Sequence, residues 1–145
     1  MQIKYTQHKK IILLFIAVIL SSILSSCGRS RELDYYSNEA NYIVATGTLV
    51  HVAYSSDLDA LYLGFSELNP DFDDITFKIV GKNLTIAQDN GIDDKIQLGD
   101  QLTFISAPLY LGDGYVMPIV ELSVQGETLL CFEEGVPNFL EWLKR

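Results

Sequence analysis

Basic side chains are missing from the whole stretch between Arg31 and Lys78, where Glu32, Asp34, Glu39, Asp57, Asp59, Glu67, Asp71, Asp73 and Asp74 stand. Such a surface repels phosphate and anionic headgroups, which excludes nucleic acid as a ligand class. Histidine is almost as scarce. Beyond His8 there is only His51, far in sequence from Cys131, so neither a His/Cys metal site nor a Cys–His nucleophile has its parts. The chain has no Gly-x-Ser-x-Gly, no His-Glu-x-x-His and no phosphate-cradling glycine loop. It is therefore read as a non-enzyme without metal or cofactor. Two cysteines, Cys27 and Cys131, cannot build a disulfide framework. The longest uninterrupted apolar run, Ile11–Leu20, is ten residues, short of the roughly 20 that a spanning helix needs.

What is present begins with the order of the N-terminal segments. Lys4, Lys9 and Lys10 precede the apolar run, and Leu24-Ser25-Ser26-Cys27-Gly28 follows it. A positive end, a hydrophobic segment and small residues before a cleavage point make a signal peptide. The final residues resemble the lipobox of bacterial lipoproteins, in which Leu and two small residues precede an obligatory Cys. The resemblance implies that residues 1–26 are removed, that Cys27 carries a diacylglycerol, and that the chain is anchored by lipid to a bacterial cell membrane or outer membrane, outside the cytoplasm. Gly28 after the lipidated residue is of the outer-membrane type in diderm bacteria. The competing readings are plain secretion with a Cys27–Cys131 bridge, and a retained N-terminal membrane helix.

Removing residues 1–26 takes three of the 10 basic residues and no acid, which leaves 7 basic and 19 acidic side chains, a formal charge of −12. The 119 residues from Cys27 to Arg145 suffice for one domain with its own core. Cys131, within Leu129-Leu130-Cys131-Phe132, is expected as a buried, inert core thiol. Residues 27–40 are polar and aperiodic beyond a turn near Leu33–Tyr36, and are expected as a tether that holds the domain off the membrane.

From Asn41 onward the pattern is mainly β. Asn41–Tyr54 is rich in β-branched and aromatic residues. It is long for one strand, and Gly47 at its middle predicts a bulge or bend. Ala60–Ser66 alternates, with Leu61, Leu63 and Phe65 on one face and Tyr62 and Gly64 on the other. Ile75–Val80 is a third strand. Asn83–Gly91 has a cap-type residue at one end and a stop glycine at the other, which predicts a helix of about two turns. A hairpin turning at Asn90-Gly91 is the rival. Gln101–Ala107 and Val116–Val124 are further strands, Pro118 in the second calling for an edge position or a bulge. Thr128–Phe132 is a last short strand, and residues 133–145 end in a helix.

A long bent strand, two strands, a short helix, a Gly99-Asp100 turn and two strands resemble the oligonucleotide/oligosaccharide-binding (OB) fold, a small Greek-key barrel with a helix between strands three and four. The expected fold class is a mainly β, OB-like barrel of five to six strands over residues 41–132, with one short internal helix and a short C-terminal helix; a β-sandwich is the alternative. The resemblance implies a ligand face on strands two and three and the flanking loops. Tyr54, Tyr62, Phe65, Tyr110 and Tyr115 are the candidate ligand-binding residues, suited by their aromatic rings to a protein or glycan partner. Two acid-rich loops, Asp89–Asp94 with Asp100 and Asp71–Asp74, have only part of a calcium-loop pattern. The expected function is a lipid-anchored, non-catalytic binding module. A small enzyme acting on envelope polymers or depending on calcium is the alternative, and an anchor working through its C-terminal helix is a third reading.

Overall fold

The computed structural model describes residues 30–69, 72, 75–112 and 114–145. The expected signal peptide, Cys27 and the Asp71, Asp73 and Asp74 acids lie outside the described residues. The chain divides into two units, Met1–Glu32 and Leu33–Arg145, and every strand among the described residues is in the second.

The strands are β1 (Ile43–Ser55), β2 (Ala60–Asn69), β3 (Thr76–Val80), β4 (Gln101–Ser106), β5 (Val116–Val124) and β6 (Glu127–Leu130). Residues 30–36 are helical (α1) and lead into a 3-10 turn, Glu39–Asn41. The other helices are α2 (Gly81–Asp89), α3 (Ile92–Lys95) and α4 (Phe132–Leu143). Hydrogen bonding runs β1–β2–β3–β5–β4 and back to β1, antiparallel except for the parallel β3–β5 contact. The sheet is thus a closed ring with α2 and α3 between the third and fourth strands, which is the OB-like barrel expected from the chain order. β6 extends the ring from the second half of β5.

Closure depends on β1 serving two neighbours. Its first half pairs with β4, Ile43 opposite Ser106 through Thr48 opposite Gln101, while its later residues pair with β2. The register against β2 shifts between Thr46 and Thr48, so Gly47 does mark a bulge. A Cβ there would come within 2.8 Å of Leu68 Cδ2 and 3.0 Å of Phe65 Cβ, so a side chain at this position would have to push Leu68 aside and crowd Phe65. Pro118 likewise sits beside a bulge. β5 is interior, Pro118 faces Lys78 of β3, and the register against β4 shifts between Ile105 and Ser106.

Two apolar clusters hold the unit together. Inside the barrel, Leu49, Leu63, Phe77, Ile79, Leu102, Phe104 and Leu122 are fully buried, and Leu84, Ala87 and Ile92 of α2 and α3 close it. Outside the barrel, Val136, Phe139 and Leu143 of α4 pack on Ala60, Val80 and Val120. Tyr36 joins this second cluster. Its ring meets Phe139 edge-on with centroids 5.0 Å apart, and its hydroxyl donates to Leu109 O at 2.5 Å. Tyr42 donates to Tyr36 O at 2.9 Å, and burial first, then Glu39 and Tyr35, pushes its phenol up. Of the expected tether, residues 33–40 are therefore folded, because Tyr36 and the neighbouring Leu33 and Tyr35 find apolar partners contributed by residues about 100 positions later.

The segment at 83–91 is helical, but its start differs from expectation. The helix begins at Gly81, and Asn83 lies inside it, buried, donating from Nδ2 to Gly135 O of α4 at 2.8 Å. Asn83 thus ties two helices together instead of capping one. Asn83→Ala should lower stability by about 1–2 kcal/mol, read from the urea midpoint at unchanged denaturant slope. Cys131 also departs from expectation. It is half-buried at the N-cap of α4, because Leu129 and Leu130 supply the inward faces of this short strand and the chain turns at the next residue. The Glu134 amide lowers the thiol pKa, but partial burial and the Glu134 and Glu133 carboxylates outweigh it, and the net direction is upward. Its Sγ donates to Glu134 Oε2 at 3.4 Å. A thiol shifted this way is a poor nucleophile.

Candidate functional site

β2 pairs with β3 only as far as Gly64 opposite Thr76; beyond that it follows the bent β1, with Ser66 opposite Thr48 and Asn69 opposite Thr46. The two strands therefore splay apart, and a cleft of about 440 Å³ opens between them. It is lined by Val50, Phe65, Glu67, Leu68, Phe72 and Ile75, among others. Its size falls in the range of small-ligand sites, roughly 300–1,000 Å³.

The floor is aromatic. The Phe65 ring stacks on Phe104 at 4.6 Å between centroids, Phe104 meets Phe77 at 4.7 Å, and Phe72 meets Phe77 at 5.5 Å. Phe77 and Phe104 are fully buried, whereas Phe65 and Phe72 are half-buried and present ring surface to the opening. Alternation along β2 sends Phe65 inward with Leu61 and Leu63, and the splay then uncovers it. Glu67 is the carboxylate on the rim. Its φ of 56° lies in the left-handed region, a conformation that costs a non-glycine residue about 1 kcal/mol or more. Its Oε2 accepts a hydrogen bond from Thr48 Oγ1 at 3.2 Å. Glu67 lies within the bulge where the register of β2 against β1 shifts, between Ser66 opposite Thr48 and Asn69 opposite Thr46.

The candidate residues part company. Tyr110 and Tyr115 come together in the loop between β4 and β5, edge to face at 5.3 Å. The Tyr115 carbonyl accepts from the Thr76 N–H at 3.3 Å, which sets this pair at the β3 end that also lines the cleft. Phe65 is in the cleft itself. Tyr62 is not: it lies on the outer face of β2, packed against the second cluster below α4. On that face its cross-strand neighbour Lys78 stands over the Trp142 ring at 4.8 Å from the centroid. Tyr54 is also apart, opposite Leu61 near the far end of β1. Helix α4 spends its apolar face, Val136, Phe139 and Leu143, on the barrel and keeps a polar face outward.

No family model, curated protein or solved structure matches the chain. The site therefore rests on its geometry alone.

Among the lining residues that sequence reasoning passed over, Phe72 is the aromatic one. Its signal was a lone aromatic among Asp71, Asp73 and Asp74, in a loop otherwise suited to water. A second cleft, of about 410 Å³, lies among Asp94, Lys95, Asp100 and Glu127. An ion pair between Lys95 and Glu127 crosses it, both side chains well exposed, an arrangement that contributes little. The Asp100 carboxylate accepts from the Gln97 N–H at 2.8 Å and serves its own turn. Among the described residues, no three His, Cys, Asp or Glu side chains converge as metal ligands, and no helix is long and apolar enough to cross a membrane.

Proposed function

We propose that the chain is a bacterial lipoprotein, anchored through Cys27 outside the cytoplasm, whose barrel binds a protein or envelope component without catalysis. The observation that carries the binding part is the cleft between β2 and β3, with half-buried Phe65 and Phe72 at its floor and the Tyr110–Tyr115 pair at the same end of the barrel. Aromatic surface of this kind takes a sugar ring or an apolar side chain, and truncating such anchors removes most of an interface's free energy. The acidic surface favours a neutral or basic partner over an anionic polymer.

Chemical crosslinking in the native envelope, followed by capture of the full chain, tests this reading. Phe72→Ala should reduce the crosslinked partner about tenfold, the effect of losing a central aromatic anchor. Tyr115→Ala, at a side chain 74% exposed and so of small structural consequence, should reduce it severalfold. Undiminished capture in both variants, at unchanged thermal midpoint, would remove the cleft from the binding surface.

A further inference from the structure

β1 has an unguarded edge. Its coverage by the fourth-strand side of the barrel stops at Leu49, whose N–H donates to Asp100 O and whose carbonyl accepts from the Gly99 N–H, both at 2.8 Å. Beyond a bulge at Val50, residues His51–Ser55 run in unbroken register with Gly64–Ala60 of β2, and no strand pairs with their other side among the described residues. Val50, Val52 and Tyr54 are 53%, 40% and 57% exposed. Natural sheets blunt such edges with lysine, proline, inward charge or a covering element. The edge has neither lysine nor proline, and only the bulge at Val50 where it begins.

We infer that this edge, Val50–Ser55, is a docking site for an extended cationic segment of a partner protein, which adds as a strand beside β1. The charges decide between that occupant and a second copy of the chain. Acids stand at both ends of the edge: Asp100, whose carbonyl holds Leu49, at one, and the exposed Asp57 and Asp59 of the β1–β2 turn at the other. Antiparallel self-pairing centred on Ala53 sets residue 57 of one copy against residue 49 of the other, so acid meets acid at both ends. A segment with apolar residues in the middle and cations at its ends instead satisfies the free backbone groups, covers Val52 and Tyr54, and meets an opposite charge in either direction. This edge meets the β2–β3 cleft at Val50 alone, and the inference does not rest on ligand binding in the cleft.

The probe is an acetylated, amidated peptide, Lys-Val-Thr-Val-Thr-Val-Lys, titrated into the isotope-labelled full chain in detergent micelles at low salt. Amide shifts and new exchange protection should concentrate at 50–55, and the same peptide with glutamate at both ends should bind at least about tenfold more weakly. Val52→Lys, which places a like charge on the exposed edge, should weaken the cationic peptide by about tenfold while leaving the fold intact. Asp57→Asn with Asp59→Asn should erase most of the preference for lysine over glutamate. Shifts confined to the cleft residues Phe65–Thr76, equal binding of the two peptides, or amides at 51–55 already protected in a chain that sediments as a dimer would each overturn the inference.

Discussion

Gly135→Ala should destabilise the folded unit by about 3 kcal/mol or more, at the upper end of what overpacking does. Gly135 is inside α4, and a Cβ built there would lie 1.7 Å from Val120 O and 2.7 Å from the Val120 carbonyl carbon. Both obstacles are backbone, so no rotamer relieves them; α4 must lift off β5. Lifting it pulls Val136 and Phe139 out of the second cluster and stretches the Asn83–Gly135 hydrogen bond. The sign is diagnostic. In an exposed helix the same substitution stabilises by about 1 kcal/mol, since glycine is the poorer helix former. Urea unfolding followed by far-UV circular dichroism separates the two outcomes, and a variant as stable as the wild type would mean that α4 does not seat on Val120. Because Asn83 and Gly135 share one seam, Asn83→Ala and Gly135→Ala should combine to less than the sum of their separate effects.

Cys27→Ala should bring incorporation of labelled fatty acid to background and leave the leader uncleaved by the lipoprotein signal peptidase. The thiol is the atom that would carry the diacylglycerol, and alanine has no nucleophile to replace it. With each buried methylene contributing about 0.8 kcal/mol, two or three acyl chains hold a protein on a membrane essentially for good. Labelling that persists in Cys27→Ala would end the lipoprotein reading. A wild-type chain that is cut but released without lipid would instead favour plain secretion, and an uncut wild-type chain that stays in the membrane would favour a retained N-terminal helix.

The barrel was legible because its cues are local. The alternation of Leu61, Leu63 and Phe65 records which face of β2 turns inward, and Gly47 records that β1 must bend there. The helix–strand change after Val80 orders the elements in a way that suits few closed sheets. The site was only half legible. Phe65, Tyr110 and Tyr115 fall at the open end of the barrel, but Tyr62 does not, although its own strand pattern is the same as that of an exposed aromatic. Tyr62 packs against the outer cluster, to which α4 contributes from some 70 residues later, and nothing within β2 distinguishes an outer face turned to water from one turned to other apolar side chains. Asn83 misled for a similar reason: its type suits a helix start, and only the approach of Gly135 gives its amide a buried partner.

By itself the amino-acid sequence determined the quantities that depend on residue type and spacing alone: the acidic surface, the strand and helix order, and the expectations of no phosphate-polymer ligand and of a lipid at Cys27. The tertiary structure decided which of those residues meet. β2 follows β1 past Gly64 and parts from β3, which opens the cleft over Phe65 and Phe72, and the barrel's cover of β1 ends at Leu49, which leaves Val52 and Tyr54 on an edge that no strand among the described residues pairs. Both outcomes are set by pairings between segments far apart in the chain, where the free energy of closing the ring, and not any local preference, selects the register.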